Sequence, residues 1–160
     1  MKKLSYILPA LVVALGLVAC NNELDKVFDG QTLVEFNEAI LRTNATGRTF
    51  PITSIPNSVT AGGTTTAQLN LVGAQRKSDL TVRVVVDPAF TTAAATSYTL
   101  ANGGNVVIKA DSSFGILRMA VGRATSTTAP IGNVVLVIDS TSADFKPSQN
   151  YKRLGFSFRQ

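Results

Sequence analysis

The amino-acid sequence predicts an all-β protein, an antiparallel β-sandwich of about seven or eight short strands that follows an N-terminal signal segment. Three features predict it. From residue 32 onward, apolar residues recur at every second position, the period of a half-buried strand. Clusters of Gly, Pro, Asn, Asp and Ser interrupt these runs about every 8–12 residues, as they do between sandwich strands. No stretch beyond residue 20 repeats its apolar residues with the period of a helix.

Taken in order, Val34 and Phe36 alternate with Leu33, Glu35 and Asn37 and open the first strand. Phe50, Ile52 and Ile55 lie around Pro51 and Pro56. Proline cannot donate to a ladder, so this segment suits a sheet edge or an irregular crossing. Ala61-Gly62-Gly63 turns, and Ala67, Leu69 and Leu71 then alternate with Gln68 and Asn70. After the polar turn Gln75–Ser78, Leu80, Val82, Val84 and Val86 share one face and make the candidate central strand, ended by Asp87-Pro88. Ala93–Ala95 has the length of a single helical turn. Tyr98 and Leu100 begin a strand and Val106–Ile108 returns; the intervening Asn102-Gly103 is a hairpin signal. Leu117, Met119 and Val121 face one way, Ile116 and Arg118 the other. Val134, Leu136 and Ile138 line another strand, and the long polar link Asp139–Asn150 suits a passage between sheets. Leu154, Phe156 and Phe158 close the chain; Arg153, Ser157 and Arg159 take the opposite, solvated face. Short strands in this order suit a sandwich of immunoglobulin-like type, without the Cys…Trp…Cys pattern of true immunoglobulin domains. The strand pattern does not separate it from a jelly roll or a small closed barrel.

Residues 1–20 stand apart. Lys2 and Lys3 precede an apolar run, Tyr6 to Val18, broken only by Pro9 and Gly16, and polar Asn21-Asn22-Glu23 follows Cys20 at once. A basic start, a short apolar core and small residues before a cut make a secretory signal. A bilayer span takes about 20 apolar residues, more than this run supplies. Leu17-Val18-Ala19-Cys20 resembles the lipobox of bacterial lipoproteins, which implies that residues 1–20 are a lipoprotein signal peptide with Cys20 as the lipidated residue. One acyl chain holds a protein marginally and two or more hold it stably, so the resemblance implies lasting membrane attachment through Cys20. The expected address is the cell envelope, as an outer-membrane lipoprotein on either its periplasmic or its external face. Residues 21–31 show no period and read as a flexible tether, of which ten residues reach at most about 35 Å. Its acids Glu23, Asp25 and Asp29 partly match the acidic stretch that directs some Bacteroidota-type lipoproteins to the cell surface. Residues 32–160 are the sandwich domain.

Composition excludes much. The 140 residues beyond Cys20 suit one domain with its own core. Without Lys2 and Lys3 the formal charge is +3, from 13 Lys and Arg against 10 Asp and Glu, with no clustered basic face, so no nucleic-acid partner is expected. Cys20 is the only cysteine, which precludes an intrachain disulfide. The chain has no histidine, so a Ser/His/Asp or Cys/His site is impossible and the usual zinc sites are excluded. The acids beyond the tether, Glu35, Glu38, Asp79, Asp87, Asp111, Asp139 and Asp144, sit mostly at strand ends and suggest turns rather than a glycosidase pair. Asp139–Asp144 holds two carboxylates and several hydroxyls but lacks the dense acids and glycine of a calcium loop, so a polar turn is the favoured reading. No enzyme activity, cofactor or metal is expected.

Several segments carry a further resemblance: Val84–Ala89, Ser97–Leu100, Val106–Leu117, Val134–Ser140 and Ser148–Lys152. Over roughly residues 60–158 their order is similar to Bacteroidota-type lipoproteins with an immunoglobulin-like domain of unknown function. The resemblance implies service in glycan acquisition and rests on strand order and turn residues. Two functions remain in view: a non-enzymatic interaction or accessory module of an envelope assembly, and a glycan-binding surface lipoprotein of a polysaccharide uptake system. For the second, the chain has no tryptophan, and Tyr98 and Tyr151 are its only tyrosines beyond the signal. Tyr151 is expected to cap a loop backbone with its hydroxyl.

Overall fold

A computed structural model describes residues 30–160. The signal segment, Cys20 and residues 21–29 of the tether lie outside the described residues. The described residues form ten strands: β1 (Leu33–Phe36), β2 (Ile52–Ser54), β3 (Gly63–Val72), β4 (Leu80–Val86), β5 (Tyr98–Leu100), β6 (Asn105–Ile108), β7 (Phe114–Val121), β8 (Ile131–Ile138), β9 (Lys146–Pro147) and β10 (Arg153–Arg159). One short helix, α1 (Asn37–Leu41), follows β1, and a 3₁₀ turn covers Ala95–Ser97. The strands make two five-stranded sheets, β5-β7-β3-β1-β9 and β2-β10-β8-β4-β6.

Strict alternation builds the core. Along β7, Gly115, Leu117, Met119 and Val121 are buried while Phe114, Ile116, Arg118 and Ala120 are exposed. Leu80, Val82 and Val84 do the same on β4. Inward residues of both sheets join one apolar cluster, with Val34, Phe36, Leu69 and Leu117 on one side and Val82, Leu136, Leu154 and Phe156 on the other. Phe145, from the polar link after β8, is buried among them. Burying such side chains contributes about 1.5–3 kcal/mol each relative to exposure.

The sheets are mixed, which corrects the antiparallel expectation. β9 runs parallel to β1, with Leu33 opposite Lys146, and β2 runs parallel to β10, with Gly155 opposite Ile52. Both parallel strands sit at sheet edges and are reached by crossings rather than tight hairpins, which frees their direction. The link Asp139–Asn150 leaves the second sheet at β8, adds β9 to the first, and returns at β10. Pro147 fits its edge place: Lys146 N–H donates to Thr32 (2.9 Å) and Ser148 N–H to Val34 (2.8 Å), so no ladder bond is asked of the proline. The strand count also exceeds the expectation, chiefly through β9, whose two residues within the link Asp139–Asn150 show no period of their own.

Two further corrections concern local signals. Asn102-Gly103 does make a left-handed turn, at φ 53° and 61°, yet it joins no hairpin. β5 pairs with β7 and β6 with β4, so the turn passes from one sheet to the other. Gly104 ends it at φ 87°, where a Cβ would fall against the Val84 carbonyl oxygen. The run Leu80–Val86 is an inner strand as expected, but β8 holds the middle of its sheet. Where β6 passes against β7 the two sheets approach closely, and Gly115 makes this possible: its missing Cβ would stand 2.7 Å from Val106 Cγ1.

Candidate functional site

Beyond β4 the chain bulges outward. Asp87 N–H still donates to the Val135 carbonyl of β8 (2.8 Å), and contact resumes where Val135 N–H donates to Thr91 Oγ1 (3.0 Å) and Asn133 N–H to Thr92 Oγ1 (2.9 Å). Between these anchors the chain lifts Phe90 over the outer face of the second sheet. Phe90 meets Phe50 edge-on, with ring centroids 5.3 Å apart. Phe50 and Val135 are both buried although they stand outside the inter-sheet core. Phe50 and Phe90 form a small aromatic cluster outside that core.

Charged groups close over this cluster. The guanidinium carbons of Arg48 and Arg153 lie 5.2 and 5.6 Å from the Phe90 ring centroid, within cation–π range. Arg153 Nε donates to Asp87 Oδ2 at 2.8 Å, and Ala89 N–H donates to Asp87 Oδ1 at 3.1 Å. Asp87 is only 8% exposed, so the pair is the most buried ion pair among the described residues. Arg153 is thus partly covered and bonded, which corrects the solvated face expected for it.

Beside this cluster opens a cleft of about 530 Å³ lined by Asn44, Thr49, Gln149, Asn150, Tyr151, Lys152 and Arg153. Local turns supply its walls. Arg48 N–H closes the turn from Ala45 (2.9 Å) with Gly47 at φ 70°, and so presents Asn44 and Thr49. On the opposite wall the chain continues from β9 alongside β1, and Phe36 N–H donates to the Tyr151 carbonyl (2.9 Å). Tyr151 keeps 37% of its surface exposed, and its hydroxyl makes no hydrogen bond among the described residues. That corrects the capping role expected of it. Amide, hydroxyl, ammonium and guanidinium groups therefore converge with one phenol ring, a set that can donate to and accept from a polyhydroxylated ligand.

A second hollow, of about 590 Å³, lies on the outer face of the first sheet. The register puts Thr99, Ala120 and Thr64 in one row and Arg118 opposite Thr66, and these small side chains leave the hollow. It holds hydroxyls and one cation but no aromatic ring. Phe114 and Ile116, 52% and 41% exposed, lie further along β7 on the same face.

The other residues marked in the sequence do not converge. Cys20 lies outside the described residues. Tyr98 is half-buried against the core. In the polar link, Asp139 Oδ1 accepts from Thr141 N–H (3.0 Å), which holds its carboxyl below the usual value, while Asp144 reaches Arg76 at 3.3 Å. The two acids serve separate contacts. Asp79 accepts from Lys109 (2.8 Å) and Ala110 N–H, and both bonds lower its pKa. Arg48, Phe90, Asn44 and Thr49 drew no notice in the sequence, since no spacing links them to Tyr151.

No family model and no curated protein matches the chain. Three solved structures from Bacteroides share its fold. EndoBT-3987 of Bacteroides thetaiotaomicron, solved with a Man5GlcNAc product, is 12% identical with a TM-score of 0.54; the match covers 79% of this chain and 30% of that one. A two-domain protein of unknown function from Bacteroides fragilis is 8% identical with a TM-score of 0.53, over 81% and 45%. A protein from Bacteroides ovatus, named a candidate carbohydrate-binding protein, is 10% identical with a TM-score of 0.50, over 68% and 34%. The chain spans less than half the length of each.

Proposed function

We propose that this chain is a non-enzymatic lipoprotein of the bacterial envelope, anchored at Cys20, whose immunoglobulin-like sandwich binds a glycan in the Tyr151 cleft. The convergence of Asn44, Gln149, Asn150, Tyr151 and Arg153 at one opening carries the reading. Side-chain amides and guanidinium groups match adjacent sugar hydroxyls with paired donors and acceptors, and a half-exposed phenol offers an apolar face with a polar tip. Two of the structural neighbours bear names tied to carbohydrate, which supports the same reading at the level of fold. The experiment is a glycan array probed with the detergent-solubilised lipoprotein, beside its Tyr151→Ala variant. Binding that the variant loses supports the reading, and binding it retains removes the cleft from consideration. For the anchor, fatty-acid label and membrane retention are expected to vanish together in Cys20→Ser; a variant that still sediments with membranes refutes it.

A second reading, an interaction module for another envelope protein, is favoured by Phe114 and Ile116, which leave an apolar strip on the outer face of the first sheet.

A further inference from the structure

We propose that the Tyr151 cleft selects an anionic saccharide, one bearing a uronate carboxylate or a sulfate ester; this rests on the glycan reading above. Two cations, Lys152 and Arg153, line the cleft, and a third, Arg48, directly precedes the lining residue Thr49 and stacks on the same Phe90 ring as Arg153. No carboxylate lines it. The acid that contacts its wall, Asp87, has both oxygens engaged, one by Arg153 Nε and one by Ala89 N–H. Three cations thus face one committed anion, and the excess of positive charge is left for a ligand.

The state of Arg153 sharpens the case. Asp87 takes its Nε, and the terminal nitrogens of the guanidinium make no hydrogen bond among the described residues. Contact with the Phe90 ring and the Asp87 bond together hold the plane of that fork before any ligand arrives. A planar guanidinium held in place is the group that pairs with carboxylate or sulfate oxygens through parallel hydrogen bonds. A neutral sugar would use the amides of Asn44, Gln149 and Asn150 and leave the cations uncompensated. An anionic group uses both sets.

The test uses the full lipoprotein in detergent and three probes: trigalacturonate, a sulfated galactan tetrasaccharide and neutral mannopentaose, each titrated calorimetrically at low and at moderate salt. The expected result is binding of at least one anionic probe about tenfold or more tighter than mannopentaose, weakened by salt. Which anionic probe binds identifies the group. Lys152→Gln and Arg48→Gln are each expected to reduce that binding by about tenfold, the size of a lost charge-assisted contact, at an unchanged melting temperature. Arg153 is left intact because its removal would strand buried Asp87. Equal affinity for neutral and anionic probes overturns the selectivity while the glycan reading stands. Anionic binding indifferent to both substitutions overturns its placement in this cleft, and binding of none of the three overturns both readings.

Discussion

Replacing Asp87 with alanine tests how the outer face of the second sheet is held together. The substitution removes two bonds at once: Oδ2 to Arg153 Nε at 2.8 Å and Oδ1 to Ala89 N–H at 3.1 Å. Both bonds end on the Asp87 carboxylate, and a hydrogen bond to a charged group is worth about 1.5–3 kcal/mol. The Arg153 side chain is 32% exposed and Ala89 is exposed, so water partly rescues both donors once the carboxylate is gone, and the lower half of that range applies to each. The sum is a loss of about 3–4 kcal/mol. For a domain of this size each kcal/mol moves the melting temperature by about 4 °C, so Asp87→Ala is expected to melt roughly 12–16 °C lower. Urea unfolding of Asp87→Ala, Arg153→Met and the double variant isolates the pair, and a coupling of about 1 kcal/mol or more is expected. A coupling near zero would mean that the bulge Asp87–Thr91 is fixed by its threonine bonds to β8 alone and that Phe90 and Arg153 take their places without Asp87.

Three further outcomes follow from single contacts. Gly115→Ala puts a methyl 2.7 Å from Val106 Cγ1 and 3.1 Å from the Val107 carbonyl, so urea unfolding should show a loss of about 1–3 kcal/mol; an unchanged midpoint would deny the close approach of β6 to β7. Thr53 Oγ1 is buried without a hydrogen-bond partner among the described residues, so the near-isosteric Thr53→Val should gain about 1 kcal/mol in the same assay. The Lys109 and Ala110 bonds hold the Asp79 carboxyl below its ordinary 3.8, so its contribution is present above that pH and is lost as pH falls through the lowered value. Asp79→Asn should therefore be less stable than the parent at neutral pH, with the difference closing in acid; a difference that does not shrink as the pH is taken below 3.8 contradicts the assignment.

The period-two pattern made most of the fold legible, and its failures have physical causes. Burial alternates along β4 and β7 where the sequence alternates, because one face of each strand meets the core. Alternation says which face is inward and nothing about the neighbouring strand. That is why Asn102-Gly103 suggests a hairpin and the structure makes a sheet-to-sheet turn: the left-handed geometry is local, whereas the partners of β5 and β6 are not. The helix α1 escaped for a related reason. Five residues carry no period, and the turn is held by Glu38, whose carboxylate accepts from Gln68 N–H (3.2 Å) where β1 has ended. Val135 shows a third limit, since it points outward by its strand position and is nonetheless buried, its carbonyl and N–H bonded by Asp87 and Thr91 of the segment that passes beside it. Of the cleft, the sequence marked Tyr151 as a loop cap and Arg153 as a residue of a solvated strand face, because the groups opposite them come from turns a hundred residues away.

The position of the cleft bears on what the proposed anchor allows. The chain enters the domain at Thr32, where its carbonyl accepts from Lys146, and β1 then runs to Phe36, whose N–H meets the Tyr151 carbonyl. The cleft thus opens beyond the far end of β1 from the point of entry, and Asn44 and Thr49 wall it off from the opposite direction. If Cys20 holds the chain at a bilayer, the segment between Cys20 and Thr32 spans at most about 40 Å, with the Thr32 end of β1 nearest the membrane along the chain. A ligand in the cleft then sits past that strand rather than under it. By register the hollow on the first sheet also lies past Phe36, because Thr64–Thr66 stand beyond Leu69 on β3, so distance from the point of entry does not separate the two openings. The chemistry of the lining does: the cleft brings a phenol ring and side-chain amides together, and the hollow has neither.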